Sequence, residues 1–275
     1  MRLGEVELFP LSDGSFWLDG GAMFGVVPKV LWQRTNPSDD RNRICLGLHP
    51  LLVKTKRENI LIETGIGDKI PDKFKEIYKV EKEKDLIQSL EDTGVSSEDI
   101  DIVILTHLHF DHCGWNTRRA SDGRIVPTFK NARYFIQKAE WERALNPDPR
   151  SKASYLRENF LPLEEYGNLR LISGDTEITE GIEVILTGGH TQGHQVVLIN
   201  RRAIYWGDLI PTTSHIRIPY VMGYDLFPLD TMRSKERLLD RAIKENWLSV
   251  FEHDPQVSIA RLKREGDRII AERVE

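Results

Sequence analysis

Three histidines and an aspartate stand within six residues, His107, His109, Asp111 and His112, in the string THLHFDHCGW from Thr106 to Trp115. The string follows directly on the apolar run Ile102–Leu105, which reads as a buried strand. Imidazoles this close together repel on protonation and lose water on burial, and a bound dication removes both problems. That makes a metal site a better account than a solvated or hydrogen-bonded histidine cluster. In extended backbone, alternate side chains share a face, so His107, His109 and Asp111 are expected to converge. His112 is expected to face elsewhere unless the chain turns, and Gly114 permits a turn. Two metals side by side account for both directions, His107 and His109 serving one, Asp111 and His112 the other.

Neither ion is complete with two ligands. The rest of the chain offers more, each where an apolar run ends. His190 lies in TGGHTQGH after Ile182–Leu186, Asp208 lies in IYWGDL, and His253 lies in VFEHDP after Trp247–Phe251. Each alone reads as readily as a turn or capping residue. Together, four strand ends that each deliver a ligand point to one common site.

The chain around these motifs reads as a single domain, 1–275, without repeats, low-complexity tracts or linkers. Strands are expected over Leu51–Thr55, Asn59–Glu63, Ile102–Thr106, Ala132–Ile136, Ile182–Leu186, Gln195–Ile199, Ala203–Trp206 and Trp247–Phe251. Lys84–Asp92, Lys138–Leu145 and Asp230–Glu245 fit amphipathic helices, the first stopped by Gly94. Hairpin-like strand pairs early and strand–helix alternation later suggest sheets covered by helices. Gly20–Leu46 and Asn146–Leu163 read as long irregular loops, which are usually functional or mobile. A net charge of −5 without a basic run disfavours nucleic acid as a partner. No apolar stretch is long enough to span a membrane, and the N-terminus lacks a signal-peptide pattern. Two cysteines, Cys45 and Cys113, outside any C-x-x-C pair suit a reducing compartment, so a cytoplasmic location is expected.

The series His107-Leu-His109-Phe-Asp111-His112, with the later His190, Asp208 and His253, resembles the signature of the metallo-β-lactamase fold superfamily. The resemblance implies a mixed α/β fold, a four-layer αββα sandwich. It also implies that His107, His109 and His190 bind one metal, that Asp111, His112 and His253 bind the other, and that Asp208 bridges them. The bridging aspartate argues against a true β-lactamase. The opening stretch Asp19–Lys29, with Trp32 following, is similar to that of N-acyl-homoserine lactone lactonases and methyl parathion hydrolase. Met23, Phe24 and Trp32 are therefore candidate walls of an apolar substrate cleft. The lactonases carry a tyrosine three residues after the bridging aspartate, and here that place is Pro211. His215 and Tyr224 are the stand-ins for it, His215 being equally readable as structural. Cys113 is not expected to be a ligand, because the oxygen and nitrogen set is complete. His49 and His194 default to structural roles, His194 with a possible role behind a ligand.

The expected activity is that of a dinuclear hydrolase acting on lactones, esters or phosphotriesters, quorum-quenching lactonase among them. A hydroxide bridging two cations about 3.5–4 Å apart would be its nucleophile, with Asp111 taking or returning a proton at the leaving group. The cofactors are two divalent ions, zinc first, with iron, manganese or cobalt also compatible. The alternatives are a mononuclear iron persulfide dioxygenase, a glyoxalase II-like thioesterase and a non-catalytic ligand sensor. The expected partner is a small molecule, with no nucleic acid and no membrane, and a homodimer is the candidate assembly.

Overall fold

The computed structural model describes residues 1–274, and its contacts fall into two compact units. The first unit comprises Met1–Gly14 and Leu48–Thr176. Its seven-stranded sheet runs in the order Arg2–Leu3, Val6–Pro10, Leu51–Lys54, Asn59–Ile62, Ile102–Ile104, Arg133–Gln137, Leu169–Ile172. The first four strands pair antiparallel, and Leu51–Lys54 and Asn59–Ile62 form the expected hairpin, Leu51 opposite Ile62. The last four pair parallel. Ile102–Ile104 is buried at every position, as a central parallel strand covered on both faces must be. Leu61, Val103 and Tyr134 share a core with Leu86, Leu90, Trp141 and Ala144. Leu86 and Leu90 belong to the helix Leu86–Glu91, which Asp85 and Gln88 start with a capping box. Gly94, at φ +75°, ends that stretch as the sequence suggested.

The second unit comprises Ser15–Gly47 and the chain from Glu177 onward. Its seven-stranded sheet follows chain order: Thr176–Thr179, Ile182–Leu186, Gln195–Ile199, Ala203–Tyr205, Leu248–Val250, Ile259–Glu265, Arg268–Arg273. Ala203–Tyr205 and Leu248–Val250 pair parallel, and the helix Pro228–Lys244 makes the crossover such a pair requires. Its Leu238, Leu239 and Ala242 pack on a core with Leu198, Ile204, Trp206 and Leu262. Among the described residues, no helix is long and apolar enough to cross a membrane.

Both stretches read as irregular hold regular structure. Gly20–Leu46 contains the helices Gly20–Phe24 and Lys29–Trp32 and most of the strand Arg43–Gly47, which pairs with Ser15–Asp19. Asp19 caps the first helix by accepting the Ala22 amide at 2.8 Å. Helices of four or five residues are too short to display a helical period. Asn146–Leu163 holds the short turns Lys152–Ser154 and Arg157–Asn159 and the start of Leu161–Glu165.

Candidate metal centre

In the first unit, the central strand stops at Ile104, short of the histidines. The convergence of His107, His109, Asp111 and His112 is therefore not the alternation of a strand, as the sequence led one to expect. It comes from a turn in which the amides of His112 and Cys113 both donate to the His109 carbonyl, at 3.0 and 3.2 Å. The rings of His107 and His109 lie 4.5 Å apart edge to face, and those of His107 and His112 lie 4.0 Å apart. Asp111 Oδ2 stands 3.7 Å from His112 Nε2. Gly114 has a role other than the expected turn: a Cβ there would meet the Ile66 backbone at 2.0 Å, so only glycine allows the two segments to touch. The Gly114 amide then donates to the Gly65 carbonyl and the Thr64 amide to the His112 carbonyl, tying this turn to the loop after Asn59–Ile62.

Two buried carboxylates missed by sequence reasoning hold this turn. Glu63 sits in the left-handed region at φ +62°, a conformation that costs a non-glycine residue about 1–3 kcal/mol. The conformation lets one carboxylate oxygen accept the Thr106 amide while the other stands 3.4 Å from His112 Nδ1. Glu140 accepts the Leu108 amide at 3.0 Å and the Tyr155 hydroxyl at 3.1 Å, and the Tyr155 ring lies edge-on to His109. The available signal was an acidic residue ending an apolar run before Thr64-Gly65. Beside Asp111, Phe110 stacks on Tyr78 at 5.3 Å, and Phe74 closes an aromatic trio. Burial and then the Asp111 carboxylate push the Tyr78 phenol up. Burial likewise raises the Cys113 thiol far above its usual range, and its sulfur lies 3.4 Å from the Leu108 carbonyl oxygen.

In the second unit, Asp208 is the hinge of the arrangement. Its Oδ2 lies 3.1 Å from His190 Nε2 and its Oδ1 lies 3.3 Å from His253 Nε2. The far nitrogen of each histidine is fixed. His253 Nδ1 faces the Gly47 carbonyl at 2.9 Å, and His190 Nδ1 faces Asp225 Oδ1 at 2.8 Å. A carbonyl only accepts, so His253 Nδ1 carries a hydrogen. His194 stands behind Asp208: its Nε2 accepts the Asp208 amide at 3.1 Å, and its Nδ1 reaches Thr187 Oγ1 at 2.7 Å. This places His194 in the supporting role its sequence position suggested.

The substrate and acid candidates fare differently. His215 is buried with both ring nitrogens engaged, Nε2 donating to the Met23 carbonyl and Nδ1 meeting Thr212 Oγ1, each at 2.8 Å. Its ring stacks on Phe24 at 4.6 Å, and burial brings its pKa down to about 4. Both of its ring nitrogens are thus engaged inside the protein. Met23, Phe24 and Trp32 are buried, Phe24 lying flat between Trp32 and His215. They form the interior of their segment, where surface walls of a cleft were expected. Tyr224 is partly exposed.

The donor chemistry in each unit suits divalent cations. Ligand atoms of His107 and His109, of Asp111 and His112, and of His190 and Asp208 come within 4.8 Å of one another, all on buried residues. Imidazole and carboxylate are the ligands zinc and its neighbours take.

Residues 49–253 match the metallo-β-lactamase superfamily. An N-acyl homoserine lactonase from a Bacillus species is 32% identical over 216 residues, which span 74% of this chain and 79% of that protein. Among solved structures, a probable metal-dependent hydrolase from Staphylococcus aureus is 33% identical, with a TM-score of 0.92 over 100% of this chain and 99% of its own. AidC, a dizinc quorum-quenching lactonase crystallised with a homoserine product, shares the fold at a TM-score of 0.79 and 22% identity, over 100% of this chain and 96% of its own.

Proposed function

Because the chain belongs to the metallo-β-lactamase superfamily, as a metal-dependent hydrolase of its N-acyl homoserine lactonase-like branch, we propose that it holds two divalent cations and opens lactones. In this reading His107, His109 and His190 hold one cation, Asp111, His112 and His253 the other, and Asp208 both. The observation that carries it is the divided carboxylate of Asp208, each oxygen turned to a different histidine. In this reading each oxygen serves a different cation, whereas a single-ion site, such as that of an iron dioxygenase, would call on only one of them.

A cation pair supplies a Lewis acid and a water ionised at neutral pH. The protein's own groups do the rest. The carboxylate of Asp111 takes the proton and returns it to the leaving oxygen. With Pro211 in place of the lactonase tyrosine and His215 committed to packing, the phenol of Tyr78 is the group we assign to polarise the carbonyl. Phe110, Phe74 and the Tyr78 ring offer an apolar wall, with Tyr224 a second contact. Met23, Phe24 and Trp32 support their segment from within.

The test is a panel of acyl-homoserine lactones, simple lactones, aryl esters, phosphotriesters and nitrocefin on purified, metal-analysed protein. Two ions per chain with lactone opening as the dominant turnover is the expected result. One iron per chain without hydrolysis would overturn the reading.

A further inference from the structure

The contacts of Asp225 go beyond the ligand set. Its Oδ1 lies 2.8 Å from His190 Nδ1, both side chains are almost wholly buried, and the opposite nitrogen of His190 is the one that faces Asp208. The segment carrying Asp225 is clamped to the segment carrying His190 by main-chain bonds. The Leu226 amide donates to the His190 carbonyl at 3.1 Å and the Phe227 amide to the Gly189 carbonyl at 2.8 Å. A Cβ on Gly189 would meet the Thr231 amide nitrogen at 2.7 Å, so glycine there allows the start of the helix Pro228–Lys244 to lie against the histidine loop. Further back, the buried Lys235 ammonium donates to the carbonyls of Arg217 and Tyr220, each at 2.8 Å, and fixes the approach to the segment. This anchoring is more than a structural hydrogen bond requires, and it sets one carboxylate against one ring nitrogen.

We propose that Asp225 is a positioning residue for His190, keeping the hydrogen on Nδ1 and the Nε2 lone pair aimed at a metal. A carboxylate oxygen accepts a hydrogen bond, so it selects this tautomer and holds the plane of the ring. The proposal rests on His190 being a ligand, as the proposed function has it. The same segment carries the exposed rings of Tyr224 and Phe227.

Two measurements test it. In metal-stripped, ¹⁵N-labelled protein, His190 should show an Nδ1-bound proton protected from exchange, and Asp225→Ala should lose that protection. On zinc titration, Asp225→Ala should weaken one site about 10–100-fold, the usual cost of losing such a partner. Asp225→Asn, which keeps an accepting oxygen, should lose less and serves if the alanine variant does not fold. Asp230→Ala, on the exposed helix start, should titrate as wild type. A His190 protonated only on Nε2, or zinc affinity unchanged in both Asp225 variants, would overturn the proposal. Failure of the two-cation reading shows separately, as a single ion bound by the wild type, while the proton measurement still decides on Asp225.

Discussion

Asp208 presents its two carboxylate oxygens to two different histidines, Oδ2 to His190 at 3.1 Å and Oδ1 to His253 at 3.3 Å. Neither histidine can turn away, since Asp225 and the Gly47 carbonyl hold their far nitrogens. Replacing Asp208 with alanine leaves both rings in place and removes the anion they share. We expect Asp208→Ala to fold, to lose metal and to lose more activity than the about 10–100-fold that removal of an outer partner costs. Metal content per chain and kcat/KM, measured on the same preparation, check this. Unchanged stoichiometry with near-normal turnover would remove the bridging role.

His215 should report on acid stability, not on catalysis. Burial holds its pKa near about 4 in the folded state against 6.5 when free. A group depressed in this way favours the unfolded chain once protons are available to it. Its contribution is complete above pH 6.5 and is lost as the pH falls toward about 4, a change of about 3 kcal/mol. Denaturant unfolding across that window should show the wild type losing this increment relative to His215→Gln. The same variant should keep its kcat once folded. A kcat collapse in soluble, metal-loaded His215→Gln would restore the catalytic assignment.

Asp13 is a tie of the loop behind the turn that carries His107 to His112. Oδ2 accepts the amides of Ile66 and Gly67, and Oδ1 accepts the Leu86 amide, Trp115 Nε1 and the Lys82 ammonium, at 2.7 to 3.0 Å. Asp13→Ala strands these donors, and losing one partner of a buried ion pair costs about 3–5 kcal/mol. Thermal unfolding should show a large loss for Asp13→Ala and a smaller one for Asp13→Asn. A change within experimental error would mean that water replaces the carboxylate.

The candidate ligand series was legible because His and Asp crowd into one short string, and Ile182–Leu186 and Gln195–Ile199 announce themselves as apolar runs with the bounds they have in the structure. Glu63, Glu140 and Asp225 were not legible. Each acts across more than thirty residues or through a single hydrogen bond, and in the sequence each is one acidic residue among 43. The N-terminal elements escaped for a related reason. Gly20–Phe24 is a helix because Asp19 caps it and because its Phe24 packs on Trp32 and His215, a partner 191 residues away in the chain. Such tertiary support leaves no periodic trace. It also reverses the meaning of the aromatic residues there, which look like a cleft in sequence and are an interior in the structure.

That reversal moves the expected site of chain-length selectivity. Phe24 is enclosed, so Phe24→Ala should leave a cavity and cost about 3–5 kcal/mol of stability while chain-length preference stays as in wild type. Tyr78, by contrast, is half-buried, stacks on Phe110 beside Asp111, and feels the charge of that carboxylate. If its ring lines the acyl path, Tyr78→Ala should raise KM more for long-chain than for short-chain lactones. The bound is set by about 0.8 kcal/mol for each methylene returned to water, roughly a fourfold change apiece. Tyr78→Phe keeps the ring and removes the hydroxyl. It should leave KM nearly unchanged and lower kcat by about 100-fold, the order seen when a donor to a developing oxyanion is lost. A kcat series across chain lengths for Tyr78→Phe, Tyr78→Ala and Tyr224→Phe separates these effects. If Tyr224→Phe shows the kcat loss and Tyr78→Phe does not, the phenol that replaces the tyrosine missing at Pro211 is Tyr224.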